Sequence, residues 1–350
     1  MFESFIKGKR TFIVAELSAN HGHRLETALK LVQAAKECGA DAVKLQTYTA
    51  DTITLDCSNE YFQIKHGTIW DGTTLHKLYG EAYTPWEWHR PIQEAVEREG
   101  MIFFSTPFDF SAVDFLESLN VPLYKIASFE LVDLPLIRKV ALTGKPAIIS
   151  TGMATLGEID EAVRTFRDAG GKQLVLLKCT SAYPTPPEEM NLRTIPHLAE
   201  AFDTPVGLSD HTLGIAVPVA AVALGACVIE KHLTMDRSEP GPDSAFSLEP
   251  AEFKSMVEAV RTAEQALGYV TYEASEKEKA SRSFRRSLFI VQDIKAGDIF
   301  TEENVRSIRP GYGLPVKHAV DVLGRRAARD IKRGTPLTWD MLNGGPSLER

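Results

Sequence analysis

The sequence lacks long apolar runs, paired cysteine motifs and an excess of basic residues. No apolar stretch in the 350 residues approaches the roughly 20 residues that a membrane-spanning helix needs. The four cysteines are scattered without the CxxC spacing of a zinc or disulfide framework. The formal net charge is −8, so we expect binding neither to nucleic acid nor to a membrane surface. The N-terminal segment also lacks a signal core with a cleavage site, which predicts a cytoplasmic protein.

Short apolar runs alternate with amphipathic segments from residue 11 to about 267. Alternating strands and helices build parallel sheets with right-handed crossovers, and eight such units predict an α/β fold, a (β/α)8 TIM barrel. A doubly wound sheet is the alternative. The eight predicted strands are TFIVAEL, ADAVKLQ, MIFFST, PLYKIAS, PAIISTG, QLVLLKC, TPVGLSD and ACVIEKH.

The predicted domains are a barrel over residues 1–270, a linker over 271–283 and a small domain over 284–350. The linker is indicated by the polar, charged run YEASEKEKASRSF. The small domain carries an internal repeat, because QDIKAGDIFTEENV (292–305) recurs as RDIKRGTPLTWDML (329–342). Two-fold internal similarity is therefore expected in this domain.

One insertion, residues 48–84, follows the second predicted strand and has no clear period. Long loops in compact domains are usually functional or disordered. The aromatic residues and the Trp70-Asp71-Gly72 triplet favour an ordered lid, and a surface excursion remains the other interpretation.

Polar side chains are predicted to face the barrel interior at the C-terminal ends of the strands. Because side chains alternate along a strand, apolar Val43 and Leu45 face the helices and leave Lys44 and Gln46 inward. The same alternation places Glu16, Ser18 and Lys125 inward, and we group Lys178 with the lysines. A buried ammonium group needs a partner, so three such lysines predict an anion pocket at the catalytic end of the barrel. Hydroxyl groups on the same rim are Thr106, Ser128, Ser150, Thr151, Ser181 and Ser209.

A histidine stands at or directly after the C-terminal end of two predicted strands. His211 in GLSDHTLG and His232 in VIEKHLT lie 21 residues apart, one strand-helix-strand step. That step places both imidazoles at the same end of neighbouring strands, where they could share one divalent ion with water and substrate oxygens.

Ordered motifs along nearly the whole chain resemble the sialic acid synthase family. They are AELSANH, KLQTYT, TPWEWH, STPFD, YKIASFE, ISTGMA, GLSDHTLG, EKHLT, GPDSAFS and RRSL followed by RPGYG. The resemblance implies a (β/α)8 barrel joined to a C-terminal antifreeze-like (SAF) domain. AELSAN, the WDG of the insertion and TPWEWH are most similar to the branch of the family that makes pseudaminic acid.

The resemblance also implies a reaction. Phosphoenolpyruvate would condense with 2,4-diacetamido-2,4,6-trideoxy-L-altrose, an N-acetylated amino sugar, to give pseudaminic acid and phosphate. The implied cofactor is a divalent metal ion, with manganese expected and magnesium or cobalt as alternatives. N-acetylneuraminate or legionaminate synthesis are the alternative activities, since Ser181 stands where neuraminate synthases tend to have Asn and Gly22 also departs from the common pattern.

The same resemblance assigns roles to individual residues. His211 and His232 would bind the metal, and Glu16 or Glu130 would position or deprotonate the attacking water. Arg309, in RPGYG, would reach into the barrel of a partner, which implies a domain-swapped homodimer. Phosphoenolpyruvate would be held by Lys44, Thr106, Lys125, Ser128, Ser150 and Ser209, and the sugar would contact Tyr183 and Asp243. Gln46 and Ser181 are further substrate-binding candidates.

Two other classes of protein also fit parts of the sequence. A Schiff-base aldolase would use a barrel lysine, for which Lys125 is the obvious candidate. A non-catalytic carbohydrate- or ice-binding protein would use the small domain, although residues 284–345 are charged and have few threonines.

Overall fold

The computed structural model describes residues 10–65, 67–239 and 241–344, and the chain divides into two compact units, residues 1–268 and 269–350. In the first unit, eight parallel strands close into a barrel in the order β1 to β8. All eight predicted strands are confirmed, and the doubly wound alternative is wrong because β1 pairs with β8. The strands are β1 Phe12–Glu16, β2 Ala42–Thr47, β3 Ile102–Pro107, β4 Tyr124–Ile126, β5 Ala147–Ser150, β6 Leu174–Cys179, β7 Val206–Asp210 and β8 Val228–His232.

Helices surround the strands, and their ends carry ordinary sequence signals. At Thr155, for example, the side chain accepts from the backbone N–H of Glu158 at 3.3 Å while the Glu158 carboxylate accepts from the Thr155 backbone N–H at 2.7 Å. The helices of this unit are α1 Leu25–Glu37, α2 Ala50–Ile53, α3 Leu75–Ala82, α4 His89–Arg98, α5 Phe110–Ser118, α6 Leu134–Leu142, α7 Leu156–Asp168, α8 Thr194–Phe202, α9 Ala216–Ala223 and α10 Pro250–Leu267.

Each strand divides its side chains between two cores. Ile13, Ala15, Val43 and Leu45 pack outward against the helices, as the alternation predicts. A smaller apolar cluster fills the lower part of the barrel interior, formed by Phe12, Val14, Ala42, Ile102, Phe104, Leu123, Ile148, Val175, Leu177 and Val228. The polar residues one pleat further along each strand therefore lie above a dry floor, at the C-terminal end of the barrel.

The prediction that Lys178 contributes to the anion pocket is wrong. Leu177 belongs to the interior cluster and Leu176 to the helix-side core, so the alternation sends Lys178 outward. Its Nζ donates to the carbonyl of Cys179 at 2.8 Å and to Thr180 Oγ1 at 3.1 Å. Cys179 takes the inward position instead.

A fully buried ion pair lies on the helix side of the last two strands. Asp210 and Lys231 are register partners, with Asp210 Oδ2 and Lys231 Nζ 2.5 Å apart and both side chains fully buried. Lys231 also donates to the carbonyl of Thr212, and the backbone N–H of Thr212 donates to Asp210 Oδ1 at 3.0 Å. The pair therefore joins the two strand ends that carry His211 and His232.

Replacing Asp210 with asparagine is expected to lower the free energy of unfolding by about 3–5 kcal/mol, because it leaves a buried ammonium without its counter-ion. Asp114→Asn is the matched control, since Asp114 pairs with Lys139 at 2.7 Å but is 70% exposed. The control should cost about 1 kcal/mol or less. Urea unfolding of both variants checks this expectation, and equal losses would contradict the assigned importance of the buried pair.

The second unit is built around the internal repeat. Ile294 and Ile331 exchange backbone hydrogen bonds of 2.9 and 2.8 Å. Lys295 Nζ contacts the Asp330 carboxylate at 2.7 Å, and Lys332 Nζ contacts that of Asp293 at 2.8 Å. The two Asp-Ile-Lys copies thus bind each other reciprocally. The regular elements are α11 Glu276–Ser281, which lies within the predicted linker, β9 Ser287–Ile290, β10 Val305–Ile308 and α12 Ala319–Val322.

Among the residues that the structure describes, no helix combines the length and the apolar character needed to span a membrane.

Candidate active site

Lys44 lies at the centre of a buried charge cluster above the barrel floor. Its Nζ contacts the carboxylate of Glu16 directly, lies 3.6 Å from Glu230 Oε1 and donates to Thr106 Oγ1 at 3.1 Å. Ser209 donates to the same Glu230 oxygen at 3.3 Å. The structure therefore brings together four of the predicted residues and adds Glu230.

Lys125 is the second lysine inside the barrel, and it is only 2% exposed. In the described structure its ammonium group donates hydrogen bonds to neutral groups. Its Nζ donates to Ser150 Oγ at 2.6 Å and to the carbonyl of Ile126 at 2.9 Å. Burial lowers the pKa of this ammonium, which favours an anion beside it.

A notch between neighbouring loops lies on the same side as Lys125. Ser128 Oγ accepts the backbone N–H of Gly152 at 3.1 Å, and the buried Ser181 Oγ has no hydrogen-bond partner in the described structure. A Cβ atom at residue 152 would overlap both hydroxyl groups. Glycine at residue 152 therefore lets the two hydroxyl groups approach the backbone closely, and hydroxyl donors of this kind suit an oxyanion.

The pKa values of the buried carboxyl groups Glu16 and Glu230 are shifted in opposite directions. Burial raises the pKa of Glu16 to about 7, although Lys44 lies against it. Burial also opposes ionisation of Glu230, but Lys125 and Lys44 outweigh it and hold the pKa of that carboxyl below its usual value. Lys44 and Lys125 both act on the ionised Glu230, while burial makes a negative charge on Glu16 costly, so the positive charge of the two lysines favours a bound anion.

Glu130 follows β4 and is half-buried, with Oε2 buried and without a hydrogen-bond partner in the described structure. Burial raises its pKa to about 7, against the opposing charge of Lys125. A carboxyl group with this pKa is suited to accept a proton near neutral pH.

We expect kcat/KM to fall as the pH drops through about 7, because a raised carboxyl pKa means protonation, and loss of the base, below that value. Glu130→Gln and Glu16→Gln identify which group is responsible. The variant that lacks the base should lose about 10²–10⁴-fold in kcat and also lose the pH dependence that the wild type shows. Dividing each profile by the wild-type profile removes the titration of the substrates. If both variants keep the pH dependence of kcat/KM that the wild type shows, neither Glu130 nor Glu16 is the base.

His211 and His232 are neighbours, as predicted, with ring centroids 5.4 Å apart. His211 Nδ1 lies 3.1 Å from the carbonyl of Thr180 and donates its proton there, so Nε2 is the nitrogen that would bind an ion when the ring is neutral. Burial opposes a charge on this ring, but Cys179 and the Thr180 carbonyl outweigh it and raise the pKa of His211. His232 Nδ1 is buried and has no hydrogen-bond partner in the described structure. Burial and nearby positive charges place the pKa of His232 well below its usual value, so its imidazole is neutral.

These two rings fit a divalent metal ion. An uncharged imidazole with an unused buried nitrogen is a metal donor in need of a partner. In the described ranges no group of three or more His, Cys, Asp or Glu side chains is arranged to hold a metal ion, so water and substrate would have to supply the other ligands. Such an open coordination shell is typical of catalytic sites rather than structural ones.

A polar group at the end of β1 includes three predicted or noted residues. Ser18 donates to the Asp243 carboxylate and accepts from Gln46 Nε2 at 2.9 Å. Tyr183 packs over His211 with ring centroids 4.5 Å apart. These side chains border the charge cluster and the histidines, where a polyhydroxylated or acetamido substrate could bind.

The insertion is ordered, which favours the lid interpretation. It contains α2 and α3, and residues 63 and 74 form a β-bridge. Trp70 Nε1 donates to the carbonyl of Pro242 at 2.9 Å, which ties the insertion to the loop after β8. A cavity of about 670 Å³ lies between the insertion and the loops after β1 and β8.

Glu230 and Cys179 lie with the predicted residues but were not predicted. Glu230 has the same orientation as His232 in VIEKH, so the alternation already indicated it. Cys179 Sγ lies 3.9 Å from His211 Nδ1, whereas the sequence analysis placed the neighbouring Lys178 in the pocket.

Thr151, predicted as a rim hydroxyl group, donates to the carbonyl of Leu177 at 3.0 Å. Arg309 belongs to the second unit, where it follows β10 and is exposed.

Comparisons with known proteins agree with this geometry. The NeuB family profile matches residues 31–272, and the SAF domain profile matches residues 285–343. A pseudaminic acid synthase of Campylobacter jejuni is 49% identical over 334 residues, covering 95% of this chain and 97% of the relative. An N,N'-diacetyllegionaminic acid synthase of Legionella pneumophila is 40% identical over 334 residues, covering 94% of both chains. A crystal structure of N-acetylneuraminic acid (sialic acid) synthetase from Leptospira borgpetersenii, in complex with citrate, has 31% identity and a TM-score of 0.70, covering 78% of this chain and 91% of that one.

Proposed function

The chain belongs to the NeuB family and carries a SAF domain, and from this we propose that it is a pseudaminic acid synthase. It is a transferase that forms a carbon–carbon bond from phosphoenolpyruvate. The acceptor is 2,4-diacetamido-2,4,6-trideoxy-L-altrose, and the products are pseudaminic acid and inorganic phosphate. The observation that carries the choice of sugar is the higher identity, over nearly the whole chain, to the pseudaminic acid synthase than to the legionaminic acid synthase.

Phosphoenolpyruvate is proposed to bind above the barrel floor. Lys125 supports this role because its ammonium is buried beside Ser150, and Lys44 adds a second positive charge next to Thr106. Ser128, Ser181 and the Gly152 notch offer hydroxyl donors to the phosphate or the carboxylate, and Ser209 completes the rim. The protein lowers the barrier here mainly by positioning and by preorganised charge.

His211 and His232 are proposed to hold a divalent ion, manganese by expectation with magnesium or cobalt as alternatives. The support is the pair of adjacent rings, one with its Nδ1 proton committed to Thr180 and the other neutral with an unused nitrogen. A bound ion of this kind supplies Lewis-acid polarisation of a carbonyl oxygen.

The reaction joins C3 of phosphoenolpyruvate to the aldehyde carbon of the open-chain sugar. The aldehyde oxygen gains a proton and becomes a hydroxyl group, and a water molecule adds to C2. Glu130 or Glu16 takes a proton from that water, which the pKa of about 7 of each allows. The new C2 hydroxyl group then passes its proton to the leaving phosphate and becomes the keto oxygen as the bond between C2 and the bridging oxygen breaks. Phosphate leaves with the bridging oxygen while Lys44 and Lys125 balance its charge. Tyr183, Asp243 and Gln46 orient the sugar.

The activity is tested by phosphate release with three acceptors: the diacetamido trideoxy sugar, its legionaminate counterpart and N-acetylmannosamine. We expect the first to give the highest kcat/KM, a product mass equal to the sum of the substrates plus water minus phosphate, and loss of turnover after chelation that manganese restores. Borohydride should not label Lys125. Preference for another sugar would contradict the specificity, whereas borohydride labelling with chelator-resistant turnover would indicate a Schiff-base aldolase.

We also propose that the enzyme acts as a domain-swapped homodimer in which the partner subunit's Arg309 completes the sugar site. The support is the RPGYG motif and the exposed position of Arg309. Mixing a Glu130→Gln variant with an Arg309→Ala variant tests this arrangement, because mixed dimers would contain one site with both residues intact. Recovery of activity on mixing is expected, and its absence in dimers that exchange subunits would contradict the swap.

A further inference from the structure

Aromatic rings form a continuous row from the buried histidines to the opening of the barrel. The ring centroids of His232 and His211 are 5.4 Å apart, those of His211 and Tyr183 are 4.5 Å apart, and those of Tyr183 and Trp70 are 5.4 Å apart. The inner end of the row is buried at the two histidines, and the outer end is the half-buried indole of Trp70. A substrate whose reactive carbon lies at the histidines would extend along this row.

Trp70 is fixed in place by its own loop. Its Nε1 donates to the carbonyl of Pro242 at 2.9 Å. The neighbouring Asp71 carboxylate accepts from the backbone N–H groups of Gly67 at 2.9 Å and Thr68 at 3.0 Å, which closes the turn that presents the indole. Gly72 follows with a φ of +95°, a conformation that other residues rarely adopt. The indole is therefore oriented before any substrate binds.

The space beside Trp70 can receive the distal part of a sugar. The cavity of about 670 Å³ has apolar lining from Trp70, Ile69 and Leu78, and its polar lining is His23, Asp71, Thr73 and Glu81. Apolar surface next to a few orienting polar groups is typical of a small-molecule site. A hydroxyl group pressed against an indole face loses water without gaining a hydrogen bond, whereas a methyl group gains by being buried there.

We propose that Trp70 determines sugar specificity by packing its indole against the C4 to C6 end of the open-chain sugar. This inference rests on the proposed function, which places the aldehyde carbon at the histidines. The 6-deoxy methyl group and the 4-acetamido methyl group contact the indole and the adjoining cavity wall. N-acetylmannosamine, which has hydroxyl groups at both carbons, gains no such contact and is selected against.

The test measures kcat/KM for the diacetamido trideoxy sugar and for N-acetylmannosamine, together with the KM for phosphoenolpyruvate. Trp70→Ala is expected to lower kcat/KM for the trideoxy sugar by about 10–200-fold, with less than threefold change for N-acetylmannosamine. The KM for phosphoenolpyruvate should stay unchanged, because that substrate lies on the lysine side. Trp70→Phe, which keeps an aromatic face, should recover part of the loss.

Trp86→Phe is the matched control. Trp86 also donates its Nε1 to a backbone carbonyl, that of Tyr48 at 3.2 Å, but its ring stacks on Phe115 with centroids 4.6 Å apart. We expect Trp86→Phe to leave the ratio of the two sugars unchanged. Equal losses for both sugars in Trp70→Ala would overturn the inference while leaving the proposed function intact. A wild-type enzyme that releases no phosphate with the trideoxy sugar would overturn both.

Discussion

Replacing His232 with alanine is expected to lower kcat by about 10³-fold or more while leaving the barrel folded. A metal ion that polarises a carbonyl group contributes several kcal/mol to the transition state, and each 1.4 kcal/mol corresponds to about tenfold in rate. His232 offers the ion a neutral, buried imidazole with a nitrogen that has no other partner in the described structure. Neither water nor the half-buried side chains at the edge of the site can take the place of that buried nitrogen as a ligand.

Two measurements separate this effect from misfolding. Manganese binding followed by electron paramagnetic resonance should show one ion per wild-type chain and a much weaker site in His232→Ala and His211→Ala, with unchanged circular dichroism. His197→Ala is the control, because His197 is exposed on α8. Wild-type rates in both site variants would remove the metal from the mechanism.

Replacing Lys125 with methionine is expected to lower kcat/KM for phosphoenolpyruvate by about 10²–10³-fold, within the range for removing one member of a buried charge pair. The expectation depends on a difference between the two interior lysines. Lys44 already contacts Glu16 and Glu230, so much of its charge is compensated within the protein. Lys125 interacts with Glu230 through space, but its hydrogen bonds go to a hydroxyl group and a carbonyl, so a substrate anion can become its direct ion-pair partner.

Lys178→Met is the matched control for this prediction. Lys178 is two strands away, on β6, and equally close to a strand end, but it faces the helices and contacts Cys179 and Thr180. Steady-state kinetics with varied phosphoenolpyruvate should show less than about threefold change in the control, in line with an ordinary outward-facing position. Similar losses in the two variants would mean that charge in general, rather than the inward position of Lys125, governs binding.

The barrel and much of its interior could be predicted from the sequence because parallel strands alternate their side chains between two environments. Glu16 and Lys44 were identified by the apolar residues on either side of them, which had to face the helices. The histidine pair followed from one strand-helix-strand step. These inferences need only local periodicity and the closed topology.

Lys178 was assigned to the anion pocket from its place near the end of a strand, because both faces of LVLLKC are apolar. A strand buried on both sides carries no pattern that distinguishes inward from outward positions. Only the packing of Leu177 in the interior cluster decides that Cys179, and not Lys178, faces the site. Glu230 lies two residues before His232 on β8, so the same alternation predicts that its side chain faces inward.

Contacts between loops could not be predicted from a single sequence. Ser18 and Asp243 are 225 residues apart, and Trp70 and Pro242 are 172 residues apart. Their meeting depends on how each loop folds over the end of the closed barrel, which no local period records. The specificity of the site lies largely in these contacts, whereas the chemistry lies in the predictable strand ends.

The most direct test of the account is the fate of the oxygen that bridges carbon and phosphorus in phosphoenolpyruvate. Substrate labelled with oxygen-18 at that position should transfer the label to inorganic phosphate, because water activated by Glu130 or Glu16 attacks C2 and the carbon–oxygen bond breaks. Mass spectrometry of the released phosphate measures this directly. Label retained in the nine-carbon keto acid would mean that the phosphorus–oxygen bond breaks, and would contradict the proposed role of the carboxylates and lysines around C2.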